Sequence, residues 1–117
     1  KFGRKRVEEY DSYIVYNGIN VQAKKGSSVK AIFDGKILYA GELEGYGNLV
    51  IVGHGNEYHS LYGHLDDITV SVDKVVKTGE IIGLSGDSDS IEGEVLYFEL
   101  RRNGKPIQPL PWFRRIS

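Results

Sequence analysis

The sequence predicts an all-β domain, arranged as a sandwich or an open barrel, and three observations support this fold class. No segment keeps its apolar residues at the helical spacing of about three to four positions. Short apolar runs recur along the chain, with turn signals such as Asn-Gly and Asp-Gly between them. Glycine occurs 15 times in 117 residues, as expected for a chain that turns often. This length favours one domain with a single core.

The first half of the chain divides into a lead-in and a series of short strands. Residues 1–15 are predicted to be the end of a linker or regulatory segment, strand-like at its end, and residues 16–117 the folded domain. Asn17-Gly18 and Asp34-Gly35 mark turns, because glycine tolerates positive φ. A glycine-rich loop is expected over residues 44–48. The predicted strands are residues 13–16, 19–21, 29–33, 36–43 and 49–52, the last one buried on both faces.

The second half continues this pattern and ends in a proline-containing segment. His54-Gly55-Asn56 is predicted to turn the chain, and Asp66-Asp67 to end the strand that follows. Residues 85–93 are polar and acidic and are predicted to form a flexible loop. Asn103-Gly104 is another hairpin signal. The predicted strands are residues 57–65, 68–72, 75–83 (strand, tight turn, strand) and 94–102, with residues 107–112 closing the domain.

The strand predicted over residues 94–102, E-V-L-Y-F-E-L-R-R, is the one around which the other elements are arranged. Side chains of a strand alternate between its faces, so Leu96, Phe98 and Leu100 are expected to enter the core. The opposite face would carry Val95, Tyr97, Glu99 and Arg101. That mixture of apolar, aromatic and charged groups leaves two interpretations open, a half-solvated strand face or the wall of a binding site.

Charge and composition exclude several classes of protein. The chain has 15 basic and 16 acidic residues and a formal net charge of −1, which argues against a general nucleic-acid binder. It has no cysteine, so disulfides, thiolate metal sites and cysteine nucleophiles are excluded. No signal peptide or membrane-spanning run is present. The chain begins at Lys1 rather than Met, as expected for an excised domain whose targeting segment lies elsewhere.

Catalytic signals from the residues alone are weak. A catalytic zinc normally takes three protein ligands, and the chain has three histidines, His54, His59 and His64. His59 and His64 are an odd number of positions apart on one predicted strand and should face opposite sides, which disfavours a three-histidine site. The acid pairs Asp66-Asp67 and Glu92/Glu94 fall in predicted loops or strand ends, where acids are common. No G-x-S-x-G nucleophile motif occurs.

Tyrosines give a stronger signal, because they are common at recognition surfaces. Six of them are spread over separate predicted strands and loops. The alternative is that they pack at the edge of the core, and this alternative is preferred for Tyr39 and Tyr58. The six are Tyr13, Tyr16, Tyr46, Tyr58, Tyr62 and Tyr97.

Five runs of the sequence resemble the LytM domain of the M23 metallopeptidases and occur in the order of that family. They are V-K-A-I-F-D-G-K-I-L-Y-A-G, G-Y-G-N-L-V-I-V-G-H-G, S-L-Y-G-H-L, G-E-I-I-G-L-S-G and L-Y-F-E-L-R-R-N-G-K-P-I-Q-P-L-P-W. The resemblance covers residues 16–112 and implies a compact, lysostaphin-like antiparallel sheet with a long open groove. It also implies a periplasmic role in bacterial cell-wall metabolism.

The chain departs from the motifs that carry zinc in active members of this family. Those members bind zinc through H-x-x-x-D and the second His of H-x-H, assisted by the first His of H-x-H and the His of Y-x-H. Here Tyr16 and Asn20 replace the His and Asp of the first motif, and Val95-Leu96-Tyr97 replaces H-x-H. Only His64, in Tyr62-Gly63-His64, is retained. Neutral Asn and Tyr are poor zinc ligands, so the resemblance implies a pseudo-peptidase without metal or cofactor.

Some family members have lost the metal and activate N-acetylmuramoyl-L-alanine amidases during cell division. The resemblance therefore implies that this domain binds and activates a cell-wall amidase through its groove. It also implies that missing N-terminal regions form a coiled coil and contact a membrane division complex. Arg101 is expected to hold a carboxylate of the partner bidentately. The groove residues are predicted to be Tyr16, Asn17, Asn20, Tyr46, Tyr62, His64, Val95, Tyr97 and Arg101.

Two other functions stay open at the level of the sequence. The same groove suits a non-catalytic module that binds peptidoglycan. A zinc hydrolase with unconventional ligands, such as His64 with carboxylates, is the remaining alternative.

Overall fold

The computed structural model describes residues 18–107 and the backbone of two short strands before them, and all regular structure in these parts is β. No helix suited to crossing a membrane occurs in these parts of the chain. The strands are β1 (Lys5–Val7), β2 (Ser12–Ile14), β3 (Ile19–Gln22), β4 (Ser28–Lys30), β5 (Gly35–Leu43), β6 (Gly47–Gly55), β7 (Tyr58–Ile68), β8 (Val75–Val76), β9 (Ile81–Ser85), β10 (Val95–Arg102) and β11 (Lys105–Ile107).

These strands form one antiparallel sheet in which β10 is central. The main path runs β1-β2-β3-β10-β7-β6-β5-β8, while β11 pairs with β10 and β9 pairs with both β7 and β4. Asn20 of β3 pairs with Tyr97 of β10, and Tyr97 pairs in turn with Gly63 of β7. An early strand, β3, and a strand from the middle of the chain, β7, thereby lie on the two edges of β10. The prediction of an all-β antiparallel fold is confirmed.

Two hairpins lie at or next to turns predicted from the sequence, and the first is shifted because His54 and Gly55 belong to β6. Asn56 and Glu57 join β6 to β7 with φ values of 50° and 67°. Asn103 and Gly104 join β10 to β11 with φ values of 56° and 75°. Positive φ at both central residues is the type I′ geometry, which matches the right-handed twist of the paired strands. These turns fix the register of β7 and β11 beside their partners.

The core lies on the face of β10 that the alternation predicted. Leu96, Phe98 and Leu100 are all buried, and the ring centroid of Phe98 lies 5.5 Å from that of Tyr62. The opposite face is also buried, however. Val95, Tyr97 and Glu99 are 4%, 8% and 0% exposed. The interpretation of this face as half-solvated is therefore wrong. Tyr46 of loop 44–46 packs against Tyr97 on this face, and residues of loop 86–93 lie beside it.

Several predicted boundaries differ from the structure. β7 continues through Asp66 and Asp67 to Ile68, because Asp67 pairs with Leu84 of β9 after an irregularity in register. The strand expected over residues 68–72 is therefore absent, and residues 69–72 carry no strand. β4 ends at Lys30, since the Ile32 N–H donates to the Tyr62 hydroxyl rather than to a neighbouring strand. Most of the closing segment predicted over 107–112 lies outside the described residues.

Strands also occur within the predicted lead-in. β1 pairs with β2, and β2 pairs with β3 from Ser12 opposite Val21 to Ile14 opposite Ile19. These strands extend the sheet beyond β3. The division of the chain between residues 15 and 16 stays a prediction.

Candidate functional site

A cavity of about 420 Å³ lies where β3, β7 and β10 meet the loops 44–46 and 86–93. Four residues predicted for the groove lie in its wall, namely Asn20, Tyr46, His64 and Tyr97. The other lining residues come from the two loops and were not predicted: Gly45, Asp89, Ser90, Ile91 and Glu92. The signal for the second loop was a single isoleucine within the polar run D-S-D-S-I-E-G.

The remaining predicted residues lie elsewhere. Tyr62 is fully buried on the core face, because its ring packs against Phe98, so its assignment to the groove is wrong. Val95 is buried and Arg101 is partly exposed on β10, and neither lines the cavity. Tyr16 and Asn17 lie outside the described residues.

Loop 86–93 is attached to the sheet by specific hydrogen bonds. The Ser88 hydroxyl donates to the Leu65 carbonyl at 2.7 Å and accepts from the Asn48 N–H at 3.0 Å. The Asp89 carboxylate accepts from the Gly45 N–H at 2.6 Å. Gly47, at φ +68°, lets the loop approach closely, since a Cβ there would lie 2.2 Å from the Ser88 carbonyl oxygen. These contacts give the predicted flexible loop a defined position beside the cavity.

His64 is fixed by its backbone and by one ring nitrogen. It has a left-handed φ of 60°, which interrupts the strict alternation of β7, and its N–H donates to the Tyr46 carbonyl at 2.7 Å. The Nδ1–H donates to the Ser88 carbonyl at 2.8 Å, because a carbonyl oxygen only accepts. In the neutral ring, Nε2 is therefore the acceptor. The ring centroid lies 6.1 Å from that of Tyr97.

Glu99 forms hydrogen bonds with Tyr97 and Arg101, the two residues of β10 on the same strand face that were predicted to contact a partner. The Tyr97 hydroxyl donates to one carboxylate oxygen at 2.5 Å, and the Nε–H of Arg101 donates to the other. Arg101 also donates through Nη1 to the Gly104 carbonyl at 3.1 Å. Arg101 was predicted to hold a carboxylate of a partner. Glu99 already supplies a carboxylate to Arg101 within the chain, so a partner's carboxylate would have to compete with it. The alternation predicted the correct face for Glu99, but the sequence did not predict its hydrogen bonds to Tyr97 and Arg101.

Burial and the charge of Glu99 also act on the two tyrosines of the cavity. Burial raises the pKa of Tyr97, and the hydrogen bond and charge of Glu99 raise it further. The pKa of Tyr46 is raised by burial and by the Glu99 charge, against a smaller opposing effect of Arg101. Both rings are therefore neutral phenols. Their centroids are 5.6 Å apart with an interplanar angle of 57°.

Asn20 has an unpaired acceptor beside the cavity. The residue is only 7% exposed, and its Oδ1 has no hydrogen-bond partner. Leaving a buried acceptor without a partner costs about 1–3 kcal/mol. A water molecule, an ion or a ligand that donates to the atom would offset this cost.

The side chains at this site do not fit a catalytic zinc. Zinc in such a site needs three nitrogen, sulfur or carboxylate ligands, and the described residues contain no group of three or more His, Cys, Asp or Glu able to hold a metal ion. Tyr97 donates its hydroxyl hydrogen to Glu99, and His64 has one ring nitrogen bonded to Ser88. Asn20 offers only a neutral amide.

A separate polar chain lies on the other side of the sheet, around Tyr62. The Nδ1–H of His54 donates to the Asp34 carbonyl at 2.8 Å, and His54 Nε2 accepts from the Ser60 hydroxyl at 2.7 Å. Ser60 accepts in turn from the Tyr62 hydroxyl at 2.7 Å. The Ile32 N–H donates to the Tyr62 oxygen at 3.1 Å. Burial raises the pKa of Tyr62 to about 12 and lowers that of His54.

Two curated relatives are similar to most of this chain. The murein hydrolase activator EnvC of Escherichia coli (strain K12) is 40% identical over 108 residues, which cover 92% of this chain and 26% of the relative. The murein hydrolase activator NlpD of the same strain is 40% identical over 94 residues, which cover 80% of this chain and 24% of the relative. The chain therefore spans about a quarter of the length of these relatives.

A solved structure and a family model agree with these relatives. The catalytic domain of the antimicrobial peptidase lysostaphin from Staphylococcus simulans matches with a TM-score of 0.78 and 27% identity, covering 97% of this chain and 88% of that one. The model described as Peptidase family M23 matches residues 15–109. From the sheet, the relatives and this match, we conclude that the chain belongs to peptidase family M23.

Proposed function

We propose that this chain is a non-catalytic LytM domain that binds and activates a cell-wall N-acetylmuramoyl-L-alanine amidase. The observation that carries the proposal is the cavity wall, whose residues Asn20, Tyr97 and His64 do not make up a ligand set for zinc. Two relatives named murein hydrolase activators support the same function. The proposed place of action is the periplasm during cell division.

Aromatic side chains and exposed apolar groups make this cavity suitable for a protein partner. Tyr46 and Tyr97 present rigid rings with few rotors, a composition typical of interaction hot spots. Ile91 lines the cavity from loop 86–93 and is 97% exposed, although it is a large aliphatic residue. Covering such a side chain contributes favourably to association.

The proposed mechanism is a shift of population in the amidase. An enzyme that alternates between closed and open forms is activated by a protein that binds the open form more tightly. The ratio of the affinities for the two forms sets the largest shift of population that the binding protein can cause. Regions before this segment are proposed to contain a coiled coil and to contact a membrane division complex.

The test is dye release from labelled sacculi by the amidase of the host, with and without this chain. We expect stimulation by the chain and no release by the chain alone. Tyr97→Ala and Arg101→Ala are expected to reduce stimulation at least about tenfold, as for hot-spot residues. Arg102→Ala is the matched control, because Arg102 lies over the ring of Tyr58, away from the cavity. Equal stimulation by all variants would contradict the proposal.

Other outcomes of the same experiment point to the alternatives. Dye release by the chain alone would show a hydrolase and would refute the non-catalytic assignment. Absence of stimulation, together with retention of the chain by purified sacculi, would identify a peptidoglycan-binding module instead.

A further inference from the structure

The cavity has the electrostatic character of a site for a cation. Its lining includes the acidic residues Asp89 and Glu92 and, among the described residues, no lysine or arginine. The Asp89 carboxylate accepts from the neutral Gly45 N–H, a contact that does not neutralise its charge. The nearby cation Arg101 donates to Glu99 and does not line the cavity.

Two aromatic rings strengthen this character. Tyr46 and Tyr97 both line the cavity, with ring centroids 5.6 Å apart. An aromatic face attracts a cation within about 6 Å of the ring centroid. The negative charge of Glu99 acts on both rings, where it raises the pKa of Tyr46 and of Tyr97.

Asn20 provides an observation that is independent of charge. Asn20 lines the cavity and is more than nine-tenths buried, and its Oδ1 lacks a hydrogen-bond donor. An amide oxygen accepts from N–H or O–H groups, so a ligand that reaches Oδ1 after a small movement of the side chain would satisfy it with one of these. Guanidinium and ammonium groups supply N–H donors together with positive charge.

We propose that this cavity binds a guanidinium or ammonium side chain of the protein segment that occupies the groove, with Asn20, Asp89 and the rings of Tyr46 and Tyr97 as its receptor. This inference rests on the proposed function, because it names the chemistry of the partner at the same site. It differs from the expectation that Arg101 recognises a carboxylate.

A protein segment is favoured over a wall peptide by the neighbouring apolar group. Ile91 lines the same cavity and is almost fully exposed, so a ligand must combine a cation with an apolar contact close to it. An amphipathic polypeptide presents both groups on one face.

The first experiment titrates the 117-residue chain with single-residue probes, followed by amide NMR. N-acetyl-arginine amide is expected to shift the resonances of Asn20, Tyr46 and Tyr97, with an affinity on the order of millimolar. N-acetyl-glutamate amide is the matched probe of opposite charge and is expected to leave them unchanged. Binding of the glutamate probe, or absence of binding by both arginine and lysine probes, would overturn the proposal.

A pair of charge variants separates the cavity from the general surface charge. Asp89→Asn keeps an acceptor for the Gly45 N–H and removes the charge, so it should weaken the arginine probe about two- to fivefold. Asp87→Asn removes a carboxylate from the same loop, one that contacts Lys25 at 3.8 Å and does not line the cavity. It should leave the affinity unchanged. Equal effects of both variants would refute a specific site.

Asn20→Leu tests the unpaired acceptor. The variant removes Oδ1 and keeps a similar volume, so it should weaken the arginine probe without unfolding the chain. A native amide spectrum and a higher free energy of unfolding are expected, because the uncompensated acceptor is lost. Unchanged probe affinity in a folded variant would remove Asn20 from the receptor.

The outcomes keep this inference separate from the proposed function. Binding of the arginine probe without stimulation of an amidase would preserve the cation site and refute the activator. Stimulation that depends on Tyr97, without binding of either cationic probe, would support the activator and refute the cation site. A wall stem peptide that carries a free side-chain ammonium is a third probe. If it binds more than about tenfold tighter than the arginine probe, the protein segment is the wrong ligand.

Discussion

Glu99 is the residue on which the wall of the cavity depends, since both oxygens of its fully buried carboxylate are used on its own strand. One accepts from Tyr97 and the other from Arg101. A buried carboxylate is costly unless it is paired and hydrogen-bonded, and here both conditions are met. Glu99 thereby fixes the side chains of Tyr97 and Arg101, which are the two residues proposed to bind the partner.

Removing this carboxylate is expected to destabilise the fold. Glu99→Leu leaves the Tyr97 hydroxyl and the Arg101 guanidinium without their partner, so the free energy of unfolding should fall by about 3 kcal/mol. Urea denaturation measures the change. Glu42→Leu, at an exposed position of β5, is the control and should change it by less than about 0.5 kcal/mol. A further substitution, Arg101→Met in the Glu99→Leu background, should restore part of the loss.

His54 makes stability depend on pH through the direction of its hydrogen-bond chain. A protonated ring would donate from Nε2 to Ser60, so Ser60 would donate to Tyr62. The Tyr62 hydroxyl hydrogen would then lack its acceptor in the core. Burial also lowers the pKa of His54 below its ordinary value of 6.5, so the unfolded chain takes up the proton more readily.

The free energy of unfolding should therefore be largest above pH 6.5 and fall as the pH is lowered through that value. Urea denaturation at about pH 7.5 and pH 5.5 tests this, because the interval spans the ordinary histidine range. Asp34 and Glu80 do not interfere, since hydrogen bonds lower the pKa of both carboxyls. His54→Asn should reduce the slope, and an identical slope in this variant would contradict the assignment.

At the scale of elements, the position of loop 86–93 depends on one glycine of the neighbouring strand. Gly47 is buried at the start of β6 and has a positive φ. The Ser88 carbonyl oxygen, which also accepts from His64, lies in the space that a side chain would fill. The loop and the histidine are thus positioned through the same contact.

Substitution at this glycine should release the loop. Gly47→Ala adds a steric conflict with Ser88 to the strain of a left-handed alanine, whereas Gly45→Ala, at φ +89°, has no atom within 4 Å and adds strain alone. Gly45→Ala is expected to cost about 1 kcal/mol and Gly47→Ala more. Urea denaturation measures both, and amide exchange should rise over residues 86–93 only in Gly47→Ala. Equal costs would show that the close approach is unimportant.

At the scale of the whole molecule, the fold was predictable because its signals are local. Asn103-Gly104 has the dipeptide that a type I′ hairpin requires, and β10 shows the alternation that buries Leu96 and Phe98. The errors arose where distant segments override a local pattern. Asp66-Asp67 has the composition of a strand end, but pairing with β9 extends β7 beyond it.

The site was predictable only in the part that a strand or a family motif carries. Asn20, His64 and Tyr97 were found in this way, and all three line the cavity. Tyr62 was misplaced because the left-handed φ of His64 and the irregular register of β7 break the alternation from which faces are read. Asp89 and Ile91 were missed, since nothing in a polar loop reveals which residues the sheet will hold against it.

The central position of β10 has a consequence for how quickly a partner is captured and released. Hydrogen bonds hold this strand along both edges, and packing covers both of its faces. A wall fixed in this way loses little conformational entropy when it is covered, and it offers a visiting segment a single shape. Differences in affinity among partners should then appear mainly in their dissociation rates, while any slow step of association belongs to the partner.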